Sequence, residues 1–201
     1  MNSDYFNLEN NQIDPTAIIE PGAVIGKGNT IGPFTLIRSC VKIGNNNYIG
    51  PHVIMGEPAE YKVHPEGKED TRVIIGNRNR ISEFTDIQSG ILTEATEIGD
   101  DCYIMVKTHI AHDCKIKNNV SIAGGVILCG FVTLNEGCRI GPNSTILQRH
   151  SVGRYSQIGI GSIITEDVPE FQTWVNFTRA KYLEPNHYQI ERIKLKENEE
   201  K

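Results

Sequence analysis

The sequence lacks the features that mark several broad classes of protein. It has no continuous run of about 18 apolar residues, so no membrane span is predicted, and residues 1–11 lack the apolar core of a signal peptide. Lysine and arginine number 20 against 25 acidic residues, and they are scattered, which argues against nucleic-acid binding. The five cysteines include no CxxC pair, which argues against a disulfide framework or a zinc ribbon, and we expect a cytoplasmic protein.

An aliphatic residue instead returns at every sixth position over most of the chain. Neither an α-helix nor a simple two-residue alternation produces this period. The next residue is often glycine, which tolerates sharp backbone turns. The positions of the six-residue frame are Ile13, Ile19, Ile25, Ile31, Ile37, Ile43, Ile49, Met55, Ile75, Ile81, Ile87, Ile98, Ile104, Ile110, Ile116, Ile122, Leu128, Leu134, Ile140, Ile146, Val152, Ile158 and Ile164.

A small or β-branched residue follows four positions after most of these aliphatics, and Cys102, Cys114 and Cys138 occupy this slot. One large and one small inward side chain per six residues suit a narrow tube with short strands as its sides. Three sides make one coil of 18 residues, and the frame then predicts seven or eight coils of an all-β, parallel β-helix. The three cysteines are expected to fill this core.

Two polar segments interrupt the frame and are predicted to be loops, where binding functions concentrate. The C-terminal segment is predicted to be partly helical, since an amphipathic, charged pattern begins near residue 186. The predicted parts are an N-terminal extension (1–12), the β-helix (13–170), loop insertions at about 56–74 and 88–97, and a C-terminal extension (171–201).

The repeat over residues 13–169 resembles that of the left-handed β-helix hexapeptide acyltransferases, and the left hand comes from this resemblance. Segments 108–114 (THIAHDC), 71–81 (TRVIIGNRNRI) and 56–62 (GEPAEYK) are similar to segments of the UDP-N-acetylglucosamine acyltransferases of lipid A synthesis. Segment 178–183 (TRAKYL) resembles the exit segment of smaller sugar N- and O-acetyltransferases.

The resemblance implies roles for three residues of a catalytic centre. His112 would be the general base, Asp113 would orient it, and the Gly130 N–H would bind the oxyanion. A neutral histidine can accept a proton near pH 7, and backbone N–H groups stabilise tetrahedral oxyanions. Gly130 follows His112 by 18 residues, so the repeat independently places it one coil away on the same side of the prism.

Substrate contacts are implied for four further residues, namely His109, Glu60, Lys62 and Gln148. The family's additional active-site histidines are replaced here, by Phe131 and Leu147 among others. These departures favour the amine of a nucleotide-linked amino-deoxyhexose as acceptor. The alternative is the 3-hydroxyl of UDP-N-acetylglucosamine, as in lipid A synthesis.

The resemblance also implies what the chain would work with. The donor would be acyl-CoA or an acyl carrier protein, used as a co-substrate, with no permanently bound cofactor and no metal. Three copies would assemble into a homotrimer with active sites between neighbouring prisms.

Two other classes are compatible with a β-helix. A γ-type carbonic anhydrase needs three zinc-binding histidines from adjacent subunits, and the spacing of His109 and His112 followed by Asp113 fits this poorly. A scaffolding or ice-binding helix should show regular outward threonine ranks, which are missing here. The cluster Arg72, Arg78 and Arg80 either grips pyrophosphate or forms an exposed charged face.

Overall fold

The computed structural model of the protein describes residues 10–63 and 70–176. The frame residues fall at the ends of very short strands, most of them two residues long. In chain order the strands are β1 (Gln12–Ile13), β2 (Ile18–Ile19), β3 (Val24–Ile25), β4 (Thr30–Ile31), β5 (Leu36–Ile37), β6 (Val41–Ile43), β7 (Tyr48–Ile49), β8 (Ile54–Glu57), β9 (Arg72–Ile75), β10 (Arg80–Ile81), β11 (Asp86–Gln88), β12 (Ala95–Ile98), β13 (Tyr103–Ile104), β14 (His109–Ile110), β15 (Lys115–Ile116), β16 (Ser121–Ile122), β17 (Ile127–Leu128), β18 (Thr133–Leu134), β19 (Arg139–Ile140), β20 (Thr145–Ile146), β21 (Ser151–Val152), β22 (Gln157–Ile158), β23 (Ile163–Ile164) and β24 (Thr173–Trp174).

Every third strand joins the same sheet, so the chain winds around three parallel sheets of nine, eight and seven strands. The nine-stranded sheet begins with β1 and β4, the eight-stranded sheet with β2 and β5, and the seven-stranded sheet runs from β3 to β21. The molecule is a left-handed parallel β-helix, which confirms the predicted fold class. The described residues include no helix long and apolar enough to cross a bilayer.

The core is one continuous column of the frame residues, as the six-residue period predicts. Ile37, Ile81 and Ile110 are completely buried. Fully burying such a side chain stabilises the fold by about 1.5–3 kcal/mol. The three cysteines of the small slot are also buried and carry free thiols, which confirms their expected packing role.

Polar ladders tie successive coils together at one corner. The backbone N–H of Asn47 donates to the side-chain oxygen of Asn29 over 2.9 Å, and that of Asn79 donates to Asn47 over 2.8 Å. The ladder ends where Cys102 N–H donates to Asn79 over 2.8 Å. These bonds satisfy turn amides that the sheets leave unpaired. They hold the corners in register along the prism.

Two insertions leave the prism after strands of the eight-stranded sheet. The first follows β8 and returns at β9, and the second follows β11 and returns at β12. β24 extends the nine-stranded sheet by pairing with β22. The predicted C-terminal helix and the segment 178–183 lie outside the described residues.

Candidate active site

The turn between β14 and β15 carries the predicted base. β14 belongs to the eight-stranded sheet and β15 to the seven-stranded sheet, so this turn forms a corner of the prism. His112 has 12% of its side chain exposed, and Asp113 next to it adopts a left-handed backbone with φ of 60°. Aspartate tolerates this conformation better than most residues. At this turn the Asp113 side chain points inward, and the His112 imidazole stays partly exposed to solvent.

Asp113 and His112 form a close hydrogen-bonded pair. The His112 Nδ1 lies 2.8 Å from an Asp113 carboxylate oxygen, and the Asp113 side chain has no exposed surface. Burial alone would raise the pKa of Asp113, but hydrogen bonds from Thr93 and His112 outweigh it and lower this pKa. An ionised carboxylate only accepts, so Nδ1 carries a proton in this pair, and in the neutral form of the ring the lone pair is on Nε2. This is the tautomer that a general base requires.

Gly130 lies against the imidazole from the next coil. A methyl group added at this glycine would stand 2.6 Å from His112 Cε1 and 2.8 Å from Nε2. Such distances leave room for hydrogen only, so the ring packs directly on the Gly130 backbone. Within residues 10–63 and 70–176, no acceptor takes a hydrogen bond from the Gly130 N–H. The structure thus brings together a proton acceptor and an uncommitted backbone donor.

Two aromatic rings enclose the imidazole. Tyr61, from the first insertion, meets it edge-on with ring centroids 5.9 Å apart, and Phe131 does so at 5.2 Å. The guanidinium of Arg149 stacks over the Phe131 ring, 4.3 Å from its centroid. The His112 ring is thus flanked by two aromatic side chains, and the exposed Arg149 guanidinium lies on the outer side of one of them.

His109, the first residue of β14, forms a second histidine–carboxylate pair. Its Nδ1 lies 2.8 Å from a carboxylate oxygen of Asp86, which is its register partner on β11. The hydrogen bond to Asp86 raises the pKa of His109 more than burial lowers it, and the charge of Glu60 adds to the rise. His109 is therefore protonated to a higher pH than a free histidine.

The Asp86→Asn variant tests this pair. We expect the pKa of His109 to fall toward its ordinary value of 6.5 in an NMR titration, because the neutral amide no longer stabilises the imidazolium. Since the folded-state pKa is raised, the pair's contribution to stability is complete below the unfolded pKa and is lost as the pH rises through the folded one. The wild type should therefore gain stability relative to Asp86→Asn in mildly acidic buffer and not at alkaline pH. An unchanged His109 titration would contradict the assignment.

The other predicted substrate residues lie on two segments near this corner. Glu60 and Lys62 belong to the first insertion, whose residues 57–62 line a groove of about 430 Å³. Tyr61 of the same segment touches the His112 ring. Gln148 is exposed on the turn after β20, next to Arg149.

The arginine cluster proposed from sequence is divided among different surfaces. Arg78 forms ion pairs with Asp100 at 3.3 Å and with Asp101 at 2.7 Å. Arg80 stacks 4.0 Å over Tyr48 on the nine-stranded sheet, while Arg72 starts β9 on the seven-stranded sheet. Neither sheet is the one that carries His109. The three arginines thus lie on different surfaces, and of the three only Arg72 starts a strand of a sheet that borders the His112 corner.

Sequence reasoning missed three neighbours of the candidate site: Asp86, Thr93 and Tyr61. Asp86 was detectable, because counting across the five extra residues of the second insertion places it directly beneath His109. Thr93 and Tyr61 reach the site through loop conformations that no repeat specifies. Among the described residues, no group of three or more His, Cys, Asp or Glu side chains is arranged to hold a metal ion.

Comparison with known proteins agrees with this architecture. The bacterial transferase hexapeptide (six repeats) family matches residues 9–39, 22–57 and 95–130. An acyl-[acyl-carrier-protein]–UDP-N-acetylglucosamine O-acyltransferase from Burkholderia orbicola is 36% identical over 118 residues, which cover 58% of this chain and 44% of that protein. The chain thus spans less than half the length of this curated relative.

Solved structures match over more of the chain. LpxA from Acinetobacter baumannii is 31% identical with a TM-score of 0.75, covering 90% of this chain and 77% of that one. A UDP-N-acetylglucosamine O-acyltransferase (LpxA) from Moraxella catarrhalis is also 31% identical, with a TM-score of 0.61 and coverage of 91% and 73%. Sequence and fold therefore lead to the same group of proteins.

Proposed function

Because this chain belongs to the hexapeptide-repeat acyltransferase family, we propose that it moves an acyl group from a thioester donor to a nucleotide-linked sugar. The observation that carries the proposal is the contact between His112, paired with buried Asp113, and the backbone of Gly130. Thioester acyl transfer needs a base for the acceptor and a donor for the oxyanion, and these two residues provide one of each.

The proposed steps use the chain's own groups. His112 Nε2 takes the proton of the acceptor hydroxyl as its oxygen attacks the thioester carbonyl carbon, and Asp113 stabilises the imidazolium that forms. The Gly130 N–H donates to the oxygen that becomes negative in the tetrahedral intermediate. When the carbon–sulfur bond breaks, the thiolate leaves and recovers the proton from His112. The products are the acylated sugar and the free thiol.

UDP-N-acetylglucosamine is the first candidate acceptor and an acyl carrier protein the first candidate donor. The relatives are named for this acceptor and for O-acylation, and the curated relative is named for the carrier-linked donor. This supports the hydroxyl acceptor over the amine that the sequence alone favours. The amine of an amino-deoxyhexose stays a second candidate, because the Phe131 ring packs on His112 where the family has another histidine.

The side chains around His112 suit an anionic sugar nucleotide. His109, whose pKa is raised by Asp86, and exposed Arg149, which stacks on the Phe131 ring, can both supply positive charge near the base. Arginine is well shaped for phosphate oxygens. Glu60, Lys62 and Gln148 are proposed to contact the sugar, since the first two flank Tyr61 at the His112 ring.

A homotrimer with sites between prisms is part of the proposal, as is a cytoplasmic location, where acyl thioesters are made. The outward face of the eight-stranded sheet exposes Ile18, Ile54, Ile127 and Ile163, and His109 lies on the same face. Apolar area of this kind favours packing against another copy. Light scattering on the purified protein is expected to give three times the 22.4 kDa of one chain; a monomer would contradict the shared site.

A donor and acceptor screen read by mass spectrometry tests the function. The purified full-length protein would be incubated with UDP-N-acetylglucosamine or dTDP-amino-dideoxyhexoses, each paired with acyl-CoA and acyl carrier protein donors. We expect acylated UDP-N-acetylglucosamine, and hydroxylamine at alkaline pH should release the acyl group from an ester but not from an amide. An acylated amino sugar alone would replace the first candidate acceptor by the second. If none of the donor and acceptor pairs gives an acylated product, the proposed function is wrong.

A further inference from the structure

The second insertion encloses the carboxylate beside the candidate base. Asp113 accepts a hydrogen bond of 2.6 Å from the Thr93 hydroxyl and one of 2.7 Å from the Thr93 N–H. The N–H groups of Ile91 and Leu92 add bonds of 3.1 Å and 3.2 Å to the same carboxylate. One short loop thus provides every donor to this buried group other than His112 itself among the described residues.

The same loop is fastened to the turn by a further bond. The backbone N–H of Asp113 donates to the Thr96 hydroxyl over 2.8 Å. The second insertion, which adds five residues to the repeat, therefore packs around the Asp113 side chain.

We propose that Thr93 is a positioning residue, which fixes the Asp113 carboxylate and through it the ring orientation and tautomer of His112. The proposal deepens the proposed acyl transfer and rests on it for its effect on turnover. The effect of Thr93 on the orientation and tautomer of His112 concerns the protein without substrate and does not depend on the proposed activity. Charged hydrogen bonds in a buried setting are strong and directional, so a carboxylate held by four donors presents one oxygen to His112 in a constant direction.

Of the three loop residues that bond Asp113, Thr93 is the one whose side-chain hydrogen bond a substitution can remove. Its hydroxyl makes the shortest bond to the carboxylate, whereas the bonds from Ile91 and Leu92 come from the backbone. Valine has nearly the same shape as threonine without the hydroxyl, and serine keeps the hydroxyl. The pair Thr93→Val and Thr93→Ser therefore separates the hydrogen bond from the packing of the loop.

The first measurement is the ¹⁵N spectrum of His112 in protein labelled at histidine. The spectrum is recorded at alkaline pH, where the comparison concerns the neutral ring. In the wild type we expect the proton on Nδ1, in Thr93→Val a mixture of the two tautomers, and in Thr93→Ser a return of the wild-type signals. This measurement needs no activity, so it stands even if the proposed acyl transfer fails. Should Thr93→Val not fold, Thr93→Ala with the backbone donors intact gives the same comparison.

The second measurement is turnover with the substrate pair found in the screen. Thr93→Val should lower kcat about tenfold, the effect of losing one bond to a charged group, with KM within about twofold; Thr93→Ser should recover kcat. The control is Thr16→Val, which removes a hydroxyl that likewise bonds an aspartate, Asp14 at 2.7 Å, on an exposed corner of the first coil. Unchanged tautomer and kcat in Thr93→Val, with only a lower Tm, would overturn the proposal and make the loop a structural anchor.

Discussion

Replacing His112 with alanine is expected to lower kcat about 10²-fold or more, because a positioned general base contributes about 10²–10⁴-fold. The three atoms nearest to a methyl group added at Gly130 all belong to the His112 ring, with Nε2 at 2.8 Å, and the Phe131 ring packs edge-on against the same imidazole. The variant also removes the ring that Tyr61 and Phe131 enclose. We expect the fold to persist, since the imidazole lies outside the aliphatic column.

His52→Ala is the matched control for this variant. His52 also occupies a turn, where it stacks between Phe34 and Phe84 with ring centroids 5.1 Å from each. It lies on a corner between the nine- and eight-stranded sheets, away from the turn after β14. Its loss should change Tm and leave kcat within about twofold. If His112→Ala kept wild-type turnover in a folded protein, the base assignment would be wrong.

Gly130→Ala is expected to lower kcat about 10²-fold, since displacements of about 1 Å in a catalytic site can cost that much. The added methyl group would stand 2.6 Å from His112 Cε1, so the imidazole must move away from the backbone. The residue keeps its N–H, so the effect comes from the lost alignment between base and oxyanion donor. KM should change less than kcat because the proposed substrate contacts lie on other residues.

Gly124→Ala is the control. Gly124 occupies the same position in the turn between β16 and β17 that Gly130 occupies in the turn between β17 and β18. The nearest atom there is Val106 Cγ1 at 3.1 Å, and no catalytic group is involved. Both variants should lower Tm, and only Gly130→Ala should lower turnover strongly. Equal turnover in the two variants would show that close contact between Gly130 and His112 has no part in the reaction.

The repeat made most of the prism predictable from sequence. Each return of an isoleucine such as Ile110 defines one inward position, and the 18-residue coil then places any residue relative to its neighbours along the axis. This rule was enough to put Gly130 beside His112, because no insertion separates them. Cys114 could likewise be placed in the core from its slot alone.

The insertions set the limit of such reasoning. Tyr61 and Thr93 lie on loops whose course depends on their own turns and hydrogen bonds, so no period relates them to the turn that they approach. The bonds from Thr93 to Asp113 cross 20 residues and follow from the fold of the second insertion. The repeat also says nothing of side-chain direction at turns, where Arg149 proves to stack on Phe131.

The pH dependence of kcat/KM, measured beside the NMR titration of His112, tests the account most directly. The acid limb of this profile reports the ionisation of the essential base in the free enzyme. The account predicts that its pKa coincides with that of the His112 imidazole and that the limb is absent from the residual activity of His112→Ala. An acid limb that falls at a different pH from the His112 titration, or that persists in the variant, would contradict it.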